Sequence, residues 1–372
     1  MKKGKIGILT TYFATNFGAM LQPFALKRTL EKMGYEVKMI RYKQSNVYKV
    51  YKPWNLKRIL RKNIIAGLTY LFWGLPISRK KERVFKQYMQ KHVERELNFE
   101  ESIPNDKDFY IFGSDQIWNP KVTGGFDDVY FGNIDVKHGA KKIAYAASAE
   151  AIDYSEDQVK YLRLNLSNFN SISVREKSLA EDLKRITCRD DIKTVVDPTV
   201  LADSTIYDEI EQINPLEGRR YVLFYKIRDC AYFINKIYDY ALNHNCELLI
   251  LSSWYEFELV WFAKRYKGVT YLPDAGVEIF LGAIKNAECI FTPSFHGCVF
   301  PILFHKSFYS LVLSDNWNTR THDLLNTLGL EDRLLAISDN IVDKEIDYKV
   351  VDKVLEQERM ASMNYLITAL EK

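Results

Sequence analysis

The sequence predicts an α/β protein of two Rossmann-like units with a cleft between them. Three observations carry that expectation. Short apolar runs alternate with helical patterns along most of the chain, the signature of parallel strands joined by crossover helices. A turn-rich segment, Asn214-Pro-Leu-Glu-Gly218, falls past the middle, and the alternation starts afresh after it. Polar residues follow each apolar run directly, at the carboxyl end where a doubly wound sheet places its crevice. A chain of 372 residues also exceeds one ordinary core. The expected limits are 1–213 for the first unit, 214–342 for the second, and 343–372 for one or two closing helices that pack back on the first unit.

In the first unit, Lys5 to Tyr12 reads as a strand rich in Ile, Leu and Thr. A small-residue loop, Phe13 to Gly18, opens a helix from Ala19 to Met33, closed by Gly34. Tyr35 to Tyr42 is the next strand. Asn16 and Gly18 sit where backbone and amide donors approach a ligand, or where a tight turn needs them. The loop lacks the G-x-G-x-x-G spacing of a dinucleotide site. Further strands are expected at Asp108–Phe112, Lys141–Ala147, Ser171–Val174 and Lys193–Val196, with helices near Glu156–Leu166 and Glu176–Ile186.

Between the second and third strands the pattern changes. From Lys49 to Lys91 there are twelve Lys or Arg and one acid, Glu82. Within this region Ile64 to Ile77 is uncharged and contains Tyr70, Phe72 and Trp73. Helical patterns start near Leu56 and run from Arg79 to Leu97. We read residues 45–100 as a helical insertion. Its plain reading is a buried helix with a solvated basic face. Its sharper reading is a peripheral contact, through 49–91, with anionic lipid headgroups or a lipid-linked saccharide.

In the second unit, strands are expected at Tyr221–Tyr225, Glu247–Leu251, Val269–Leu272, Cys289–Thr292 and Phe308–Leu313, with a late helix over Arg320–Leu328. The segment Phe291-Thr-Pro-Ser-Phe-His-Gly-Cys-Val-Phe-Pro-Ile-Leu-Phe304 is the most informative. Its apolar strand breaks at Pro293 and Ser294, and a helical pattern runs from His296 to Phe304. His296 therefore stands where free backbone N–H groups and the positive helix end suit an anion. Imidazole is also the side chain best fitted to proton transfer near neutral pH. The plain alternative is a capping Ser294 beside a structural His. Two such sheets facing across a cleft match the two-domain, GT-B-like glycosyltransferase architecture.

Composition narrows the class. A net charge of +4 is mild, and no basic stretch carries a nucleic-acid motif. The five cysteines, at 188, 230, 246, 289 and 298, are odd in number and widely spaced, so neither a disulfide framework nor a metal site is expected. No uncharged run reaches the length of a spanning helix, and Met1-Lys-Lys-Gly-Lys leads straight into a strand. The expected location is cytoplasmic. The high aromatic content is compatible with sugar stacking, although core packing accounts for most of it.

Five segments together resemble the polysaccharide pyruvyl transferase family. They are Asn16-Phe-Gly-Ala-Met-Leu-Gln22, Phe112-Gly-Ser-Asp-Gln-Ile-Trp-Asn119, Ser173-Val-Arg-Glu-Lys-Ser178, Val196-Asp-Pro-Thr199 and Ser294-Phe-His-Gly297, in the family's order. The resemblance implies phosphoenolpyruvate as donor, a saccharide as acceptor, a pyruvate ketal as product and no cofactor. That reaction needs an acid for the donor methylene, a base for a sugar hydroxyl, and fixed cations for phosphate and carboxylate. His296 matches the family's donor-site His, and Arg175 a family Arg whose planar fork suits an anion. Without the resemblance, Arg175 beside Glu176 and Lys177 reads equally as a surface ion pair. Ser294 and Gly297, in the His296 loop, are expected donor contacts. Asn16, Gly18, Gln22, Ser114 and Gln116 are expected loop or acceptor contacts. Asp115 is a base, a hydroxyl ligand or a turn cap. Lys226 and Arg228, after a strand, and Arg320 and His322, opening a helix, are further cleft candidates. Some relatives carry Arg where this chain has Ser294, so Arg320, Lys226 or the helix end would supply that charge. Two rival readings share the scaffold: a nucleotide-sugar glycosyltransferase, and a non-catalytic saccharide-binding or assembly protein. Neither the sugar nor the oligomeric state is written in the sequence.

Overall fold

The computed structural model describes residues 3–12, 14–42, 44–51, 70–93, 103–149, 153–313 and 319–371. In the first unit the elements are β1 (Lys5–Leu9), α1 (Phe17–Lys32), β2 (Glu36–Met39), α2 (Ser45–Tyr51), α3 (Leu75–Tyr88), β3 (Phe109–Phe112), α4 (Pro120–Thr123), β4 (Lys141–Ala147), α5 (Glu156–Asn165), β5 (Ser171–Val174), α6 (Lys177–Thr187), β6 (Lys193–Thr194) and α7 (Pro198–Leu201). The second unit holds β7 (Tyr221–Lys226), α8 (Ile234–Asn243), β8 (Glu247–Ser252), α9 (Phe257–Arg265), β9 (Val269–Leu272), α10 (Val277–Asn286), β10 (Cys289–Thr292), α11 (Phe295–Leu303), β11 (Ser307–Leu311), α12 (Thr319–Thr327) and β12 (Leu334–Leu335). One closing helix, α13 (Tyr348–Glu371), follows.

Two six-stranded parallel sheets result, in the orders β2-β1-β3-β4-β5-β6 and β12-β11-β10-β7-β8-β9. Their strands are apolar on both faces, as helix-covered parallel sheets require; Val222, Leu223 and Phe224 are all fully buried. The orders fix where ligands go. In the first sheet the winding reverses between β1 and β3, and in the second between β7 and β10. The carboxyl ends flanking each reversal open into a crevice.

Three elements join the units. Helix α1 is buried on nearly every side from Phe17 to Leu26, because it lies between its own sheet and the second unit. Its Phe17 stacks on Phe280 of α10, with ring centroids 4.3 Å apart, and also meets Tyr225 at 5.4 Å and Phe85 at 5.5 Å. Helix α3 of the insertion lies across the carboxyl edge of the second sheet. Lys80 pairs with Asp274 at 2.6 Å, and Lys81 Nζ donates to the Ser252 carbonyl at 2.6 Å. Helix α13 starts on the second unit, where Tyr348 donates to the Lys306 carbonyl. It then crosses to the first, where Ser362 accepts from Val196 N, Arg359 donates to the Val200 carbonyl and Tyr365 to that of Ala144.

The insertion differs in detail from the sequence reading. Tyr70–Gly74 and Met89–Val93 are wide helical turns flanking α3. Tyr70 and Leu75 are buried, whereas Leu71, Phe72 and Trp73 are 38%, 71% and 58% exposed. The helical pattern near Leu56 and the stretch Ile64–Thr69 lie outside the described residues. Among the described residues no helix is long and apolar enough to cross a membrane.

Phe17→Ala should cost about 3–5 kcal/mol, because its ring is packed from both units. Thermal melts should show both units losing stability together; a variant melting like the wild type would show that the Phe17 contacts do not couple them.

Candidate active site

The two crevices face each other, and the side chains that meet there come from five loops. At the end of β6, Asp197 caps α7: its carboxylate accepts from Thr199 N at 2.9 Å and from the Thr199 hydroxyl at 2.6 Å. The other oxygen, Oδ2, accepts from Ser114 Oγ at 2.9 Å and pairs with Arg175 Nη2 at 2.8 Å. Arg175 Nη2 also donates to Ser114 Oγ at 2.5 Å. From the second unit, His296 Nε2 stands 3.6 Å from Asp197 Oδ1, beyond hydrogen-bond reach but close enough for strong electrostatic coupling. Arg175, Asp197 and His296 are 8%, 1% and 8% exposed. Burial alone would raise the Asp197 pKa; the Arg175 guanidinium, His296 and the Thr199 hydroxyl outweigh it and hold the carboxyl well below the usual carboxylate range.

The close approach of the units at this point depends on Gly18. A Cβ there would lie 2.0 Å from His296 Nδ1, so the first turn of α1 needs a bare backbone to receive the imidazole. Asn16 caps α1, its Oδ1 accepting from Ala19 N at 3.2 Å. Ser294 caps α11 by accepting from Gly297 N at 3.2 Å, and Gly297 lies so close to Thr292 that a Cβ would stand 2.5 Å from its hydroxyl. These residues thus shape the two loops that hold the imidazole. Phe295, beside the histidine, has the Arg175 guanidinium 5.1 Å from its ring centroid and that of Arg320 at 6.0 Å. Both cations belong to the same corner of the cleft.

The rest of the expected set divides by position. Gln22 is fully buried and donates to Thr10 Oγ1, which donates to the Ser114 carbonyl, both at 2.7 Å; it braces the switch-point loops from behind. Asp115 follows Ser114 with φ 81°, a conformation unusual for a non-glycine residue, and accepts from the Thr11 hydroxyl at 2.5 Å. It is half-buried at the mouth of that crevice. Gln116 is buried and accepts from Asn119 at 3.4 Å. Lys226 is committed to Glu256, which accepts from its ammonium through both oxygens at 2.8 Å. Arg228 is half-buried, and His322 is exposed.

Three contributors were not singled out from the sequence. Asp197 lay in a quoted motif but carried no assigned role. Lys81 hides in the basic run Arg79–Arg83, which resembles a solvated face, yet it is 4% exposed, stands 5.3 Å from the Phe17 ring centroid, and is pulled down to about 7 by burial, with Asp274 opposing. Glu176 reads as a surface partner of Arg175 but is 2% exposed. No group of three His, Cys, Asp or Glu among the described residues has a metal-binding arrangement.

The corner holds unused donors. Arg175 Nε and Nη1 and His296 Nε2 are buried without hydrogen-bond partners among the described residues. Such groups are costly unless a ligand completes them; the guanidinium donors suit an anion, and the imidazole nitrogen can exchange a proton. Asp197→Asn should destabilise the protein by about 3–5 kcal/mol, because it leaves the buried guanidinium uncompensated. The stability from Asp197 is complete above its ordinary pKa near 4 and is lost as pH falls through the depressed folded value. Urea melts between pH 7 and 3 should therefore show an acid limb that flattens in the variant; identical limbs would rule this out.

Solved structures with similarity along the chain include the UDP-GlcNAc 2-epimerase of Methanocaldococcus jannaschii, at 14% identity and TM-score 0.46, covering 96% of this chain and 93% of that one. The glycosyltransferase VinC, in complex with dTDP, is similar at 9% identity and TM-score 0.44, covering 99% of each chain. The Escherichia coli heptosyltransferase WaaC, with ADP, is similar at 10% identity and TM-score 0.40, covering 95% of this chain and 99% of that one. No curated protein matches the chain. The family model described as polysaccharide pyruvyl transferase matches residues 16–315, which take in Gly18, Ser114, Arg175, Asp197 and His296. The chain is thus a transferase and belongs to the polysaccharide pyruvyl transferase family.

Proposed function

We propose that this transferase moves the pyruvyl group of phosphoenolpyruvate onto two hydroxyls of a saccharide, forming a cyclic ketal for a capsule or exopolysaccharide. The observation that carries the reading is the pair of buried, unpaired donors on Arg175 beside the buried, unpaired Nε2 of His296, at two facing switch points. A donor with a phosphate and a carboxylate would complete them. In this reading the unpaired Nε and Nη1 of Arg175 contact the anionic groups separately, because Nη2 is anchored on Asp197 and Ser114. Ser294 stands where some relatives carry Arg, and Arg320, beside Phe295, supplies the missing charge. Lys226 contributes only if Glu256 releases it.

His296 takes the proton of the attacking hydroxyl, and Asp115, at the crevice mouth, orients the sugar. The reaction requires no cofactor. The acceptor reaches the cleft from a cytoplasmic membrane face. Phe72 and Trp73 are exposed at the start of an α3 whose outer side carries Arg83 and Lys86, and this combination suits an anionic bilayer holding a lipid-linked saccharide.

Calorimetry should show phosphoenolpyruvate binding in the micromolar to millimolar range and no uridine nucleotide binding; the reverse result would replace the donor. His296→Ala should retain the fold and lose about 10²- to 10⁴-fold in turnover. Arg175→Lys should bind the donor more weakly, since one ammonium cannot hold Asp197 and Ser114 and also present the separate donors of Nε and Nη1.

The membrane contact has its own test. The protein should co-sediment with vesicles containing anionic lipid, less so as salt rises, and more weakly after Phe72→Ser and Trp73→Ser. Equal failure with anionic and neutral vesicles would leave the two aromatic residues without a membrane role.

A further inference from the structure

We propose that Glu176 is the acid that protonates the donor methylene, so that the residue next to the anion-binding arginine starts the chemistry. The inference rests on the phosphoenolpyruvate reading and adds to it a proton donor that the sequence did not mark.

Glu176 follows β5 directly and stands at the start of α6, at the carboxyl edge that opens into the cleft. Its side chain turns toward the end of β4, where Ser148 Oγ donates to Oε1. The other oxygen, Oε2, is buried and has no hydrogen-bond partner among the described residues. A buried carboxyl oxygen without a partner is costly as a carboxylate and much cheaper as an O–H that can be delivered. The residue is only 2% exposed, so no bulk water supplies what is missing.

The charged and titratable groups around it are Arg175 on its own strand end, Arg320 from α12 of the second unit, and Tyr154 ahead of α5. Burial dominates over both arginines and the Ser148 bond and raises the carboxyl to about 7. At neutral pH a large fraction of Glu176 therefore carries a proton, which suits a general acid. A donor anion held by Arg175 would remove part of the opposing positive charge and favour the protonated form further.

The step balances without another reactant. The donor C2=C3 electron pair takes the proton from Glu176, which makes C3 a methyl group and C2 electrophilic. The first sugar hydroxyl forms a C–O bond at C2, and its proton passes to His296. The second hydroxyl then bonds to C2 while the C2–O bond to phosphate breaks with its electron pair. Its proton returns to the Glu176 carboxylate, and His296 gives its own to the departing phosphate. Both groups end as they began.

The test uses phosphoenolpyruvate as the probe and Glu176→Gln as the variant. Glutamine keeps the shape and the neutral charge of the protonated acid. Calorimetry at pH 7.5 in two buffers of different ionisation heat reads the protons taken up on binding. The wild type should take up about half a proton more than E176Q, while both bind the probe. In cells lacking the wild-type gene, E176Q should restore less than about a hundredth of the pyruvate ketal that the wild type restores. Should E176Q not fold, Glu176→Met, an apolar side chain of similar length, serves in both measurements with the same expected results. Equal proton uptake, or full ketal restoration by a folded variant, would overturn the role of Glu176 and leave the donor reading standing. Failure of the wild type to bind phosphoenolpyruvate would overturn both.

Discussion

The buried pair between Arg175 and Asp197 is the interaction on which the site is built. Neither group tolerates burial alone, and each is satisfied by a residue from another strand end. Ser114 at the end of β3 bonds to both, so one small network fixes three carboxyl ends of the first sheet in register. The pair then presents to the second unit a carboxylate edge toward His296 and a guanidinium face toward Phe295. What remains unpaired on Arg175 and His296 is left over by this arrangement and finds no partner among the described residues.

The two units meet through apolar packing beneath that polar corner. Phe17 and Gly18 are neighbours on the first turn of α1 and do opposite things: the ring fills the interface between Phe280, Tyr225 and Phe85, and the missing side chain admits His296. Packing and site geometry are thereby coupled over two residues. A shift of α1 that loosened the aromatic stack would also move the surface against which the imidazole rests.

Much of the fold was legible because its signals are local. Apolar runs of four to seven residues gave nearly all the strands, and the Ser294-Phe-His-Gly297 junction was visible as a break between two periodicities. The two-residue strand β12 carried no such signal and is fixed only by pairing with β11. The site was less legible. His296 and Arg175 stood out by residue type and position. Asp197, Glu176 and Lys81 did not, since burial decides their chemistry and a sequence does not display burial for charged residues. Lys81 lies among four other charged residues in Arg79–Arg83, and only the crossing of α3 over the second sheet distinguishes it from them. Asn16 and Ser294, placed by position as a loop contact and a donor contact, each cap a helix.

The path of α13 has a consequence for biosynthesis. Val196 N, one residue before Asp197, finds its partner in Ser362, which leaves the ribosome 166 residues later. Arg359 and Tyr365 likewise reach back to carbonyls of the first unit. Domains commonly fold in order as they are synthesised. The first sheet can therefore form early, with the strand end that bears Asp197 still lacking its last support. The second unit must be made, and α13 must cross back, before the corner closes. A ribosome-bound chain of the first unit alone thus carries neither His296 nor Ser362, and the corner is complete only after both have been made and brought back to it.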